Sequence, residues 1–298
     1  MKKILRPLKK AVYFCLKLKN KNKNKQKIVK FKKEIWQTDE VSKSFIDGSN
    51  ASLIPVADNM DREVNEFFLS QCTKEDKILD IGCGHGIVSE FLAEKGLDVT
   101  AIDISEKLLT EFRNRIKDKD LKIEIKQGDA YSIPCVNEEF DVVVARMFLP
   151  HFPDWPIVLK EMTRVTKKGG KLLVHFPSKE NTDFAKKIKI TDYEFLANSE
   201  TNDPRNFYAE TDDKELKRVC KKNGLTLINR TPVSFFQDNR ILANQLGGEL
   251  HYKYMTKMEN YLKNEEVKNF ILWFDKEIIA HCHPALSRSN IIEFKKHN

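Results

Sequence analysis

Apolar positions along this chain fall into short runs and helical stripes that alternate with each other. Residues 59–72 (NMDREVNEFFLSQC) carry helical spacing. Residues 77–81 (KILDI) are an apolar run leading into a glycine cluster, the pattern of a buried strand. Residues 87–95 predict a helix ending at Gly96, 98–102 (DVTAI) a strand, and 105–117 a helix with Ser105 as its N-cap. Residues 122–127 alternate as a strand, and 140–145 (FDVVVA) are a second buried run. A helix over 156–166 is expected to stop at Gly169-Gly170, before a strand over 171–176 (KLLVHF). Strands and helices alternating at this spacing imply a parallel sheet with helices on both faces.

After residue 177 the pattern loosens. Residues 178–207 are polar with aromatic islands. A helix over 211–223, capped by Thr211 and closed by Gly224, precedes a strand over 225–231. A long connection follows, with helical patterns near 252–264 and 266–281, before a last strand over 289–296. So long a connection in a compact domain is usually functional. Segments of about 178–207 and 232–287 are therefore read as lids.

Charge changes the picture at one end only. The chain of 298 residues has 52 Lys+Arg and 44 Asp+Glu, a net charge of +8. Residues 1–33 hold fourteen Lys/Arg and no acid, so residues 34–298 hold 52 − 14 = 38 bases and 44 acids, a net of −6. Within 7–18, Leu8, Ala11, Val12, Cys15 and Leu16 fall on one helical face with lysines largely opposite. Residues 19–33 are lysine-rich and low in complexity, and read as a linker. The expected division is a basic tail over 1–33 and one domain over 34–298. Residues 1–18 fit an anionic membrane surface, RNA phosphates or solvent. The six cysteines are scattered without a C-x-x-C pair, which points to a reducing compartment. Cytoplasmic residence follows, with the inner face of a membrane as a peripheral location.

Glycine is scarce, 11 in 298, yet Gly82, Gly84 and Gly86 crowd into ILDIGCGHG. Between a strand and a helix they let the backbone approach a ligand that the helix N-terminus favours. Asp103 ends the next strand, where a carboxylate can accept both hydroxyls of a ribose. Gly128-Asp129-Ala130 follows the third strand, where Asp129 can accept an adenine amino proton and the Ala130 N–H can reach a ring nitrogen. Open α/β sheets bind ligands at such carboxyl ends.

The ordered set ILDIGCGHG, AIDIS, GDA, FDVVVARMFLPHFPDW and LKEMTRVTKKGGKLLV resembles the class I S-adenosylmethionine-dependent methyltransferases. It is most similar to the type-11 group, which acts on small molecules and lipids. The resemblance covers residues 60–178 strongly and 205–298 weakly. It implies a Rossmann-like, mostly parallel seven-stranded sheet with an antiparallel last strand. It implies S-adenosyl-L-methionine as cofactor, with its methionine end at Asp80 and the backbone of Gly82, Cys83, Gly84 and Gly86. Asp103 would then hold the ribose, Ile104 cover one adenine face, and Asp129 and Ala130 read its edge. Arg146 and Met147 would line the sulfonium side.

Methyl transfer needs alignment and, for a weak nucleophile, a base. His151, in the loop that faces the methyl group in this family, is the general-base candidate. The motif that marks methylation of exocyclic base amines is absent after the fourth strand, where Ala145-Arg146-Met147-Phe148 stand, so nucleic acid is not the expected acceptor. His281-Cys282-His283 cannot converge on one ion from a helix, and no metal is expected. Aromatics at 148, 152, 155, 193, 195, 207, 208, 235 and 236 surround the lids and favour an apolar or ring-bearing acceptor. The expected activity is methylation of a small molecule, lipid or saccharide at oxygen. An RNA methyltransferase using the tail and a non-catalytic cofactor-binding scaffold are the alternatives.

Overall fold

The computed structural model describes residues 23–50, 55–187, 203–204, 207–235, 253–254 and 256–298. The helical pattern over 7–18, much of both lids, and the aromatics Tyr193, Phe195 and Phe236 lie outside them.

Seven strands form one sheet: β1 (Lys77–Ile81), β2 (Asp98–Asp103), β3 (Ile123–Gln127), β4 (Phe140–Arg146), β5 (Thr166–Pro177), β6 (Leu225–Val233) and β7 (Ser289–Lys296). Their order is β3-β2-β1-β4-β5-β7-β6. β1 to β5 pair in parallel, and β7 runs antiparallel to both β5 and β6. Strand order reverses between β1 and β4, which opens a crevice at their carboxyl ends.

Alternation along the buried strands feeds two cores. Leu79, Ile81, Val143, Ala145, Leu172 and Val174 share one face with Val158, Leu159 and Met162 of helix α6 (Trp155–Val165) and Leu216 and Val219 of α8 (Asp213–Asn223). Ile78, Val99, Val142, Val144 and Leu173 share the other with Val64 and Phe68 of α3 (Pro55–Ser70) and Val88 and Leu92 of α4 (Ile87–Glu94). Helices therefore cover both faces. Helix α5 (Glu106–Ile116) takes Ser105 as its N-cap, whose side chain accepts from the Leu108 N–H.

Three local expectations need correction. Residues 23–35, read largely as linker, form helix α1, and its Ile28 is 3% exposed within the first core. Burying apolar residues at helical spacing outweighs lysine repulsion there. The cap of α8 is Asp212, which accepts from the Glu215 N–H, and Thr211 is buried before it. Gly169-Gly170 do not stop α6: they lie inside β5, in a bulge where register with β4 jumps from Phe140↔Thr166 to Val142↔Lys171. A Cβ on Gly170 would come within 2.8 Å of the Asp141 carbonyl oxygen.

The described parts of the lid regions include α7 (Lys179–Lys187) and α9 (Glu265–Glu277). Among the described residues, no helix is long and apolar enough to cross a membrane.

Candidate active site

A cavity of about 440 Å³ opens at the crevice above β1, β2 and β4, within the usual range for small-molecule sites. Eleven of the twelve site residues expected from sequence line it: Asp80, Gly82, Cys83, Gly84, Asp103, Ile104, Asp129, Ala130, Arg146, Met147 and His151. Gly86 does not. It is the N-cap of α4 with φ 87°, and a Cβ there would strike the Phe112 ring at 2.3 Å. Its place is in forming the turn.

The glycine loop is fixed from β2. Gly82 and Cys83 both donate backbone N–H groups to the Ile102 carbonyl, at 2.8 and 3.1 Å. Gly82 has φ 73°, and a Cβ on it would lie 2.0 Å from Phe148 Cδ2. Only glycine lets the β1 end and the Phe148 ring approach so closely.

Two carboxylates flank the loop. Asp103 accepts from the Gly84 N–H and the Ser105 N–H, each at 2.9 Å and each on a different oxygen. Burial raises its pKa, and those N–H groups pull it back. Asp80 is 1% exposed and accepts from Ser89 Oγ at 2.6 Å. Burial pushes its pKa up to about 6 despite that bond. Cys83 is half-buried, and desolvation followed by the charges of Asp80 and Asp103 holds its thiol well above the ordinary value, so it stays protonated.

At the end of β4, Arg146 pairs with Asp61 of α3. Met147 then adopts φ 49°, an uncommon backbone state for a non-glycine residue that recurs at functional sites. Phe148 packs edge-on against Phe152 (centroids 4.9 Å), and Phe152 against Tyr131 (5.5 Å). The Tyr131 hydroxyl donates to Asp154, and burial with that bond raises its pKa.

His151 lies between two aromatic rings, Trp36 at 5.3 Å and Tyr208 at 5.2 Å, both edge-on. Its Nδ1 is buried without a hydrogen-bond partner. Burial, and then the Lys32 charge, push its pKa down to about 3, so the imidazole is neutral at pH 7.

Sequence reasoning missed one wall entirely. Val29, Lys32, Lys33 and Trp36 of the α1 region line the cavity, as does Asp61. Lys33 pairs with Asp129 and lies over the Tyr131 ring. The signal was the helical spacing of Ile28, Ile35 and Trp36 within the lysine-rich stretch. Of the lid aromatics, Phe148, Phe152 and Tyr208 line the cavity, whereas Trp155 and Phe207 belong to the core. Phe235 lies at the end of β6 and donates its N–H to Asp275.

A methyltransferase-domain family matches residues 79–174, which span β1 to β5. The ubiquinone biosynthesis O-methyltransferase of Methylococcus capsulatus is 30% identical over 176 residues, 59% of this chain and 70% of that protein. The protein of the same description from Azoarcus sp. is 27% identical over 178 residues, covering 59% of this chain and 75% of its own. A chain from the complex of the Haloferax volcanii Trm112 methyltransferase activator with a methyltransferase shares the fold. Its TM-score is 0.55 at 13% identity, over 89% of this chain and 98% of that one. With the sheet order, the glycine turn and the relatives in agreement, the chain belongs to the class I S-adenosylmethionine-dependent methyltransferases.

Proposed function

We propose that this enzyme methylates a hydroxyl oxygen of a small, ring-bearing acceptor. The observation that carries this reading is a neutral, half-buried imidazole set among aromatic rings, in the same cavity as the carboxylate-flanked glycine loop. Relatives described as O-methyltransferases support the choice of oxygen.

The residues present fit the cofactor. Asp103 has both oxygens oriented by backbone donors and keeps lone pairs for ribose hydroxyls. Asp80, whose pKa burial raises to about 6, stays mostly ionised at pH 7 and sits beneath the loop for the amino-acid end. Ile104 offers an apolar face for the ring, and Asp129 and Ala130 lie at its far edge. Gly82 leaves the backbone bare where a side chain would intrude. When bound, S-adenosylmethionine supplies an electrophilic methyl group on a cationic sulfur.

The chain's own residues supply position and a proton acceptor. Trp36, Phe148, Phe152 and Tyr208 wall the acceptor space and exclude water. The hydroxyl proton passes to the His151 imidazole as the acceptor oxygen takes the methyl group. A sulfonium would leave as a neutral thioether without help from an acid, so alignment accounts for most of the rate.

The test is product analysis after incubating the full chain with S-adenosylmethionine and a panel of phenols, amines and thiols. An O-methylated phenol with stoichiometric S-adenosylhomocysteine supports the reading. Methylation confined to amines or thiols overturns it.

A further inference from the structure

Val29, Lys32, Lys33 and Trp36 turn one face of the α1 region to the cavity, and Ile28 anchors the helix in the first core. The next helix, α2 (Asp39–Asn50), packs against α5. There Ser42 Oγ and Ser105 Oγ share a hydrogen bond of 3.3 Å, and Lys107 pairs with Asp39. The Ser105 N–H is one of the two donors that orient Asp103. One stretch of chain, residues 23–50, thus touches the segments that follow both β2 and β3, where Asp103 and Asp129 stand.

After β3, both oxygens of one carboxylate are engaged. Asp129 Oδ1 accepts from the Tyr131 N–H at 3.0 Å, and Oδ2 accepts from the Lys33 ammonium. That ammonium also lies over the Tyr131 ring, 4.7 Å from its centroid. Lys33 is therefore held at two points, by a charge and by a π face. Both partners are half-buried, and an ion pair of that accessibility adds little to stability. Its effect is directional. With a donor on each oxygen the carboxylate plane is fixed, and each oxygen keeps a second lone pair. Asp129 and Lys33 both line the cavity. A purine brings one of two groups to such a carboxylate. A 6-amino group donates to it. A 6-oxo group sets acceptor against acceptor, and the ammonium that could relieve the mismatch is already committed to Asp129 and the Tyr131 ring.

We infer that Lys33 is a positioning residue for cofactor choice: by holding Asp129 in place, it makes the chain select a 6-amino purine over a 6-oxo purine. The orienting residue lies 96 positions from the carboxylate it orients. It also lies outside residues 79–174, the part of the chain that carries the family match. Purine selection is in this way shared between a strand end common to the fold and a helix that this chain adds over it. The inference rests on the reading of Asp129 as the acceptor at the purine edge, and the two fail separately.

The experiment is a calorimetric titration of S-adenosylhomocysteine and of S-inosylhomocysteine, which carries a 6-oxo group in place of the 6-amino group. Both are titrated into the full chain. Wild type is expected to bind the adenosyl ligand about 100-fold more tightly. D129A brings that ratio to about one. K33M brings it to about ten, by weakening the adenosyl ligand more than the inosyl one, and K33R keeps most of the wild-type ratio. K30M, at an exposed lysine on the same helix, leaves the ratio as in wild type. A merely structural role for Lys33 predicts that K33M weakens both ligands equally, and that result overturns the inference. Tighter adenosyl binding in K33M overturns it too, because Lys33 would then compete for Asp129. In both cases a collapse of the ratio in D129A keeps the reading of Asp129. A wild-type ratio near one, or a ratio that survives in D129A, removes that reading and the inference together.

Discussion

The two ends of the cavity are built in different ways. At the glycine loop, the groups come from consecutive strand ends and are tied down by backbone. Asp103 is gripped by two N–H groups, Asp80 by Ser89, and Gly82 and Cys83 by the Ile102 carbonyl. At the other end, Lys32, Trp36, His151 and Tyr208 come from segments far apart in the chain, with ring contacts joining three of them. The first end is pre-organised by the sheet and suits a ligand of fixed shape. The second is set by side-chain packing and can be retuned by substitution without disturbing the sheet. A fold that keeps its cofactor and varies its acceptor needs this division.

The largest break of the first end is G82A. The new methyl meets Phe148 and the backbone must hold φ 73°. Unfolding in urea is expected to show a loss of about 2–4 kcal/mol, and S-adenosylhomocysteine affinity to fall about 100-fold. A variant with wild-type values for both would mean that the loop has slack.

H151A probes the second end. Turnover on a phenolic acceptor is expected to drop about 100-fold in kcat, with cofactor affinity within about three-fold of wild type. Undiminished kcat would remove His151 as the proton acceptor and leave it as a wall.

The last prediction concerns pH and the scaffold, where α3 meets the end of β6. Glu63 of α3 accepts from the Ser234 N–H at 2.9 Å, near Asp275, which accepts from the Phe235 N–H at 3.1 Å. Burial, then Asp275, push the Glu63 pKa up to about 8. Folded protein thus keeps this proton while the unfolded chain releases it near the ordinary glutamate value. The unfolded state gains stability as pH rises from about 4.5 to 8, so the fold loses some over that window. E63Q is expected to flatten the slope and raise the urea midpoint at pH 8 more than at pH 5. An identical slope in E63Q would place the proton elsewhere.

The same contrast explains what could be read in advance. β1 to β5, the Ser105 cap and the strand-end carboxylates follow from local pattern, because each is decided within a few residues of itself. The final strand was legible too, since its apolar run is bounded by charge. Helix α1 was not. Its lysines dominate the composition, and burial of Ile28 and the face turned to the cavity depend on partners distant in the chain, such as Asp129 for Lys33 and His151 for Trp36. Asp61 was hidden likewise, because its pairing with Arg146 at the end of β4 joins residues 85 apart in the chain. Gly169-Gly170 misled for a related reason: glycine marks both helix stops and bulges, and the pairing with β4 decides which.

The most direct test of this two-ended account is one calorimetric titration of S-adenosylhomocysteine into wild type, D103A and W36A. D103A is expected to bind about 100-fold more weakly, and W36A within about three-fold of wild type. Equal losses in both variants, or wild-type affinity in D103A, would contradict the division.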